Sequence, residues 1–549
     1  MRSIRFEVRS WAIAFLIMLP AAIPYICHLS VSKRYSLPTG YIQHDMPIYM
    51  AKAREAFDDG TFHFTYSNPC AQTYDSPRIY FQPWTLLLGA IHWKTHLRPL
   101  WLFPAFWFVS AWPCCRVMLA LYREVAGELD TSTKHRGLAL FAWGGGVLCL
   151  AGAIWGGFVK GKIGAGELLR FDPFGGWWFL NLGRNLVYPT EALYHFLFFS
   201  AILCVLRRRL ILATFLVALN AACTPFSGFE LLAILGVWST VEVVFLEDEE
   251  RLKKFSAAII VITLLFLFYL FGYLNQFLEH RQIAARMSLA WEYRAETFVP
   301  AYALVGALAL WSLRRLPIAA KTLSLSKNRL FLVWFVVAFA LTIHEFAVPP
   351  RQPIHFTRGY VWTPLFLLGL PTLLKLLDRV GRWGSWKGRL GVAAIMLLFL
   401  SDNLVWFGCR ISSSRNIDGN GLRLDSAQRE VLDKLNDPAL FGHLVVGNDH
   451  RVLYFVVAET PLRSWISHWI ETPEFETRRD EMERAFRSEV FEPRWEGLPL
   501  LVVIRHAPKE RAAASQTPLW LKRQKAEPWF SNRVFDVYRV PSRVPNSPP

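Results

Sequence analysis

Long apolar segments recur along this 549-residue chain, and they constrain its fold more than any other feature. A stretch of about 18 or more apolar residues is long enough to cross a bilayer as a helix. With 53% hydrophobic and only 19% charged residues, the composition is typical of a polytopic membrane protein. We predict about eleven transmembrane helices, at residues 11–29, 100–122, 137–158, 186–206, 210–224, 227–246, 256–277, 298–313, 330–347, 359–376 and 390–408.

Clusters of Lys and Arg predict the orientation of these helices. Arg2, Arg5 and Arg9 precede the first apolar segment, which favours a cytoplasmic N-terminus because basic residues accumulate in cytoplasmic loops. We predict that this segment is an uncleaved anchor rather than a signal peptide, since it is long and lacks a clear cleavage site. With this orientation every later dense basic cluster is cytoplasmic, and the net charge of +17 therefore requires no nucleic-acid partner.

The apolar segment Tyr80–Trp93 has about 14 residues, which is short for a transmembrane helix. If it crossed the membrane, all later basic clusters would face outward. We therefore predict a re-entrant or interfacial segment on the outer side.

An odd number of helices places the C-terminal part of the chain outside the cytoplasm. Strand-like runs at Gly442–Val446, Leu500–Ile504 and Val534–Val540, with a helical pattern at Thr477–Arg487, predict a small extracytoplasmic α/β domain at residues 410–540. Residues 1–409 then form the transmembrane domain, with a long first outer loop at 30–99, and residues 541–549 form a disordered tail.

The predicted topology places acidic and basic side chains at the outer ends of helices. Ionisable groups at membrane depth are costly unless they face a cavity or a partner, so this distribution indicates a cavity that opens outward. In the first outer loop, Asp45 precedes a helical pattern with Pro47 in its first turn. Asp45 could cap this helix by accepting a backbone N–H, or it could act with His44 as a general base or as a carboxylate that orients an acceptor.

The motif that opens this loop resembles that of the GT-C superfamily of membrane glycosyltransferases. The similarity lies in the pair His44-Asp45, in Tyr49 followed by Ala53-Arg54, and in the run Arg78–Trp84, "RIYFQPW". The plan of about eleven helices with an outer C-terminal domain is also similar to that of bacterial members, including the protein mannosyltransferase and aminoarabinose transferase types.

The resemblance implies an inverting transferase that moves a sugar from a polyprenyl-phosphate donor to an acceptor at the outer face. Asp45 would be the catalytic base, and His44 would orient the acceptor or assist Asp45. The resemblance also implies a second polar group near a later helix, for which Arg184 and Glu191 are the candidates. The acceptor, whether glycan, lipid or protein, leaves no trace in the sequence.

A donor-phosphate site is predicted in the segment that precedes residue 359. Arg351, His355 and Arg358 lie within eight residues of one another, and Arg binds phosphate oxygens in pairs. The alternative is that Arg358 snorkels at the membrane surface. Glu345 and Glu191 are expected to pair with arginines, and Arg78 and Tyr49 complete the supporting residues.

Three further expectations concern metal, location and alternative functions. We expect no metal or other cofactor, although a divalent metal at His44-Asp45 remains an alternative. The protein is expected in the inner, or plasma, membrane of a bacterial cell envelope, since no Asn-x-Ser/Thr sequon is present. The alternative functions are a transporter or flippase of lipid-linked sugars, for which a sequence repeat is missing, and a non-catalytic envelope assembly protein.

Overall fold

The computed structural model describes residues 2–30, 36–58, 60–71, 73–129, 131–176, 178–245, 250–286, 294–315, 326–414, 422–487, 494–495, 498–506 and 518–542. These residues form two compact units, of which the first comprises Met1–Cys27, Pro104–Phe271 and Ser288–Arg415. The second comprises His28–Phe103, Gly272–Met287 and Asn416–Pro549. The predicted disordered tail lies outside the described residues from position 543 onward.

The first unit is helical. Its longer helices cover the segments in which transmembrane helices were predicted; they are Arg2–Met18, Pro99–Ala126, Ser132–Trp143, Leu148–Trp155, Pro189–Leu206, Leu210–Cys223, Pro225–Phe245, Glu250–Leu267, Ala295–Arg315, Ser326–Thr342, Trp362–Gly381 and Ser385–Ser414. Arg2–Met18 continues through Leu19–Ala22 into Ile23–Ser30, and Glu250–Leu267 continues into Phe268–Tyr273. Short helical turns lie at Gly156–Lys160, Ala165–Leu168, Pro173–Gly175, Leu182–Asn185, His344–Phe346 and Pro353–Phe356.

Helix length and apolarity support the prediction of a multi-pass membrane protein. Within the described residues, seven helices are long and apolar enough to cross a membrane, and an eighth span results if one bent pair is counted as one. That pair is Ser132–Trp143 and Leu148–Lys160, which meet at 67°. The bend follows Gly144, whose extended backbone (φ −67°, ψ 151°) ends the first helix.

The second unit contains a five-stranded sheet with helices packed beside it. We label the strands of this unit β1 (Leu37–Pro38), β2 (Arg423–Leu424), β3 (Leu444–Gly447), β4 (Arg463–Ser464), β5 (Leu500–Arg505), β6 (Pro528–Ser531) and β7 (Phe535–Val540). The sheet order is β4-β3-β5-β7-β6, with β3 parallel to β4 and β5, and β7 antiparallel to β5 and β6. This confirms the predicted α/β character of the C-terminal region, and the predicted strands correspond to β3, β5 and β7.

Helices connect the parallel strands of this sheet, as parallel strands require. His450–Glu459 connects β3 to β4, and Phe475–Arg487 lies between β4 and β5. The other helices of the unit are Met46–Glu55, Pro83–Thr95, Leu278–Arg286, Ser426–Leu435 and Leu519–Arg523, with short turns at Leu274–Gln276 and Pro438–Leu440. The predicted re-entrant or interfacial segment is thus a 13-residue helix, Pro83–Thr95, which packs against Met46–Glu55.

The described residues of the segment 30–99, which was predicted to be the first outer loop, belong to the same compact unit as the C-terminal sheet. The strand β1 pairs antiparallel with β2, and Leu37 lies opposite Leu424. Between β1 and Asp45, Gly40 has φ +91°, and a Cβ at that position would lie 2.4 Å from the carbonyl oxygen of Pro99. Only glycine meets both conditions without a shift of the backbone, so the path of the chain into Asp45 is closely fixed.

Candidate active site

Asp45 occupies the position before the first residue of the helix Met46–Glu55, yet its side chain accepts no backbone hydrogen bond. Its Oδ2 instead accepts a hydrogen bond from the Nε2 of Gln43 at 2.7 Å. Its Oδ1 lies 3.2 Å from the Nε2 of His468. The capping interpretation therefore does not describe this side chain, whose partners are both side chains.

The partner His468 is buried, whereas Asp45 remains open to a ligand. The side chain of His468 is 4% exposed and that of Asp45 is 38% exposed. His468 follows β4 in a tight turn in which the Thr472 N–H donates to the carbonyl of His468 at 2.9 Å. The Ser467 N–H donates to the hydroxyl of Thr472 at 3.1 Å. A carboxylate that is held from one side is thus accessible from the other.

His44 contributes an aromatic face beside the carboxylate. Its ring stacks on Tyr454 with a centroid distance of 4.7 Å, and the ring of His468 lies 5.6 Å away. The hydroxyl of Tyr454 also donates a hydrogen bond to the carbonyl oxygen of His44. The pKa of His44 is lowered, first because the packed rings exclude water and second because His468 is close.

The surroundings of Asp45 keep its carboxylate ionised. Burial by itself would raise the pKa, but the interactions with His468, above all its hydrogen bond, outweigh this effect, assisted by His44 and Gln43. The pKa of Asp45 is therefore held well below its usual range. At neutral pH the group is a hydrogen-bond acceptor without a proton of its own.

An ion pair between Lys52 and Glu471 lies beside Asp45 and His468. The Nζ of Lys52 lies 2.6 Å from Oε1 of Glu471, and the two side chains are 16% and 15% exposed. Burial disfavours both charges, but their mutual attraction prevails, so the pKa of Lys52 is raised and that of Glu471 is lowered. Because Glu471 lies three residues after His468, this pair also fixes the turn that carries the imidazole.

Two of the predicted supporting residues lie in the same unit as Asp45. Tyr49 is half-buried and meets the ring of Trp84 edge-on, with centroids 5.1 Å apart. Arg78 is half-buried just before Tyr80, whose backbone pairs with that of Tyr66. The run Arg78–Trp84 thus contacts the helix Met46–Glu55 through Trp84.

The predicted phosphate-binding segment lies in the first unit, where Arg358 forms an ion pair with Glu191. The two side chains are 16% and 6% exposed. The guanidinium of Arg358 also lies 5.3 Å from the ring centre of Trp178. The expected pairing of Glu191 with an arginine is present, and the charge of Arg358 is largely balanced.

The other two residues of this segment are placed differently. The His355 ring stacks on Phe226 at 4.2 Å and meets Trp178 edge-on at 5.0 Å. Arg351 is exposed, and its backbone N–H donates to the Nε2 of His344 at 3.0 Å. Glu345 is half-buried, and in the part of the chain that the structure describes it has no arginine partner.

Arg184 is buried inside the first unit, where it forms a network of its own. It pairs with Asp172, both side chains being at most 1% exposed. Its Nε donates to Oδ1 of Asn403 at 2.8 Å and its Nη2 to the carbonyl of Asp402 at 3.0 Å. With its donors directed at protein oxygens, this arrangement favours a structural role for Arg184.

Few features of the sequence indicate the partners that surround Asp45. His468 lies in the run "SWISHW", in which Trp465 is fully buried and Trp469 is 39% exposed. The one feature that could have indicated His468 as a site residue is its position between two tryptophans in a region predicted to be extracytoplasmic. The contact of Gln43 with Asp45 is easier to predict, because Gln43 lies two residues before Asp45.

Groups of three or more His, Cys, Asp or Glu side chains that could hold a metal ion do not occur among the described residues.

Comparison with known proteins gives no match to a protein-family model and no match to a curated protein. Solved structures do match, and two of them are described here. The oligosaccharyltransferase of Archaeoglobus fulgidus, tethered to an acceptor peptide containing the NVT sequon, is 11% identical with a TM-score of 0.45, over 96% of this chain and 74% of that one. ArnT from Cupriavidus metallidurans in the apo state is 12% identical with a TM-score of 0.48, over 98% of each chain.

Proposed function

We propose that this protein is an integral-membrane glycosyltransferase that moves a sugar from a polyprenyl-phosphate donor to an acceptor at the extracytoplasmic face, with Asp45 as general base. The observation that carries the proposal is the Asp45 carboxylate, which is ionised, held by two side chains and still 38% exposed. A structural carboxylate would instead cap the helix or form an ion pair with a Lys or Arg. His44 provides an adjoining ring that can orient the acceptor.

The proposed reaction has one bond-forming and one bond-breaking step at the anomeric carbon. The acceptor hydroxyl oxygen bonds to this carbon as the bond to the donor phosphate oxygen breaks, and the phosphate leaves with the electron pair. The hydroxyl proton passes to Asp45. Because a carboxylate of lowered pKa is a weak base, transfer occurs late, when positive charge on the sugar has made the hydroxyl acidic.

The leaving phosphate gains charge in the transition state, so cations directed at it would accelerate the reaction. We propose Arg351, His355 and Arg358 for this role. Arg351 is the strongest of the three because it is exposed, whereas Arg358 is balanced by Glu191. Glu191, Glu345, Arg184, Arg78 and Tyr49 are proposed as supporting residues.

Purification, mass spectrometry of the co-purifying lipids and transfer from those lipids in vitro test the proposal. Asp45→Asn should lower the transfer rate by at least about 100-fold, the low end for loss of a general base. Asp58→Asn is the matched control, since Asp58 lies in the same unit and pairs with Arg54 at 3.3 Å. Full transfer by folded Asp45→Asn protein would exclude Asp45 as the base.

A further inference from the structure

The hydrogen bonds around His468 determine which of its ring nitrogens carries the proton. Nδ1 is approached by the backbone N–H groups of Ile470 at 3.3 Å and Glu471 at 3.4 Å. A backbone N–H can only donate, so Nδ1 must present its lone pair. The proton of the neutral imidazole is then on Nε2, which lies 3.2 Å from Oδ1 of Asp45.

The ring is also fixed in position by the turn that carries it. The guanidinium of Arg286 donates to the carbonyl oxygens of Trp469 at 2.7 Å and Thr472 at 2.9 Å. The pair of Lys52 with Glu471 holds the end of the same turn. A buried ring with both nitrogens engaged has little freedom to rotate, so its Nε2–H is presented to Asp45 in one direction.

We propose that His468 is a positioning residue for Asp45: its Nε2–H holds Oδ1 so that the other lone pairs of the carboxylate face the acceptor. This inference rests on the proposed function, in which Asp45 takes the acceptor proton. His468 does not receive that proton, because Nδ1 is occupied and Nε2 already carries one. Its role differs from that of Gln43, which holds Oδ2 at 2.7 Å.

Two substitutions of His468 separate positioning from a purely structural role. The amide of Gln reaches the place of Nε2, so His468→Gln keeps a donor to Asp45 and loses the acceptor of the turn. The amide of Asn reaches the place of Nδ1, so His468→Asn keeps the acceptor for Ile470 and Glu471 and loses the donor to Asp45. The two roles therefore predict opposite orders of activity.

If His468 positions Asp45, His468→Asn should lower kcat by about 10- to 100-fold, the range for a small misplacement of a reacting group, with KM changed by less than about threefold. His468→Gln should restore kcat to within about threefold of wild type. The acid limb of kcat/KM should move to higher pH in His468→Asn alone. Higher activity in His468→Asn than in His468→Gln, or equal activity in both, would overturn the inference.

If the wild-type protein transfers no sugar, the proposed function is refuted, and a second measurement then tests the contact between His468 and Asp45 independently. The titratable groups that interact with Asp45 are His44, Tyr454, His468 and Glu471. Of these contacts, His468→Asn removes only the hydrogen bond from Nε2. A lowered pKa stabilises the fold fully above about pH 4, and this stabilisation is lost progressively as the pH falls towards the lowered pKa. The difference in Tm between wild type and His468→Asn should therefore begin to shrink as the pH falls from about 5 to 3. A difference that is absent or independent of pH would refute the contact itself.

Discussion

Removal of Lys52 should destabilise the unit that carries Asp45 far more than removal of a surface cation does. At 2.6 Å and an effective dielectric constant of about 20, the attraction between Lys52 and Glu471 is about 6 kcal/mol. Most of this offsets the desolvation of the two ions. Lys52→Met leaves Glu471 buried without its cation, which costs about 3–5 kcal/mol; we expect the lower end because the carboxylate is still 15% exposed.

Thermal unfolding in detergent measures this loss. A change of 1 kcal/mol shifts Tm by about 2–4 °C in a cooperative unit of about 150–250 residues, so Lys52→Met should lower Tm by about 6–12 °C. Arg487→Met is the matched control, since Arg487 is 79% exposed and pairs with Glu483 at 3.4 Å. It should shift Tm by less than about 2 °C, because exposed pairs contribute little.

The double variant Lys52→Met with Glu471→Leu identifies the cause of the loss. It removes the unpaired charge and should recover at least about 1 kcal/mol relative to Lys52→Met alone. The raised pKa of Lys52 and the lowered pKa of Glu471 place the stabilisation by the pair between about pH 4 and pH 10, with loss on either side. A Tm for Lys52→Met within 2 °C of wild type at pH 7, or a double variant no more stable than Lys52→Met, would refute this account.

Three further predictions concern buried charges of the first unit. Glu191→Gln and Arg358→Met should each cost about 3–5 kcal/mol, and the double variant less than their sum, as a double-mutant cycle by thermal unfolding would measure; additive losses would contradict the pairing. Burial raises the pKa of Asp172 to about 6 despite Arg184, so the wild-type protein should lose stability as the pH rises from about 4 to 6, and Asp172→Asn should flatten that part of the Tm profile; an unchanged slope would contradict it. Glu230 is fully buried and neither carboxyl oxygen has a hydrogen-bond partner among the described residues, so Glu230→Leu should raise the free energy of unfolding by about 1–3 kcal/mol, and a fall in Tm would indicate a partner that stabilises it.

The parts of the fold that depend on local pattern were predictable from the sequence. A run of apolar residues such as Pro189–Leu206 has few alternatives to a helix, and β5 stands out as the run "LLVVIR". The helix after Asp45 was also predictable from its helical pattern and from Pro47 in its first turn. These elements are set by neighbours within a few positions, which is the range over which periodicity carries information.

The environment of the candidate site was not predictable in the same way. Asp45 and His468 are 423 positions apart, and the contact depends on how two distant segments of the chain pack within the second unit. The sequence predicts that Glu191 pairs with an arginine but does not show which one, because it shows the charges and not the distances between them. The structure shows that the partner is Arg358. Arg184 was predicted only as a candidate for the second polar group near a later helix, and its buried donors are directed at Asp172, Asn403 and the carbonyl of Asp402.

The antiparallel contact of β1 with β2 has a consequence for any shortened form of this protein. A stop codon after residue 415 would remove β2, which pairs with β1 at Leu37. It would also remove His468, which contacts Asp45, and Glu471, which pairs with Lys52. The remaining loop would keep its helix-forming residues but would expose Ile48 and Ala51, which pack against Val457. Limited proteolysis within residues 416–549 should therefore release the region around Asp45 to further cleavage rather than leave a trimmed, intact membrane core.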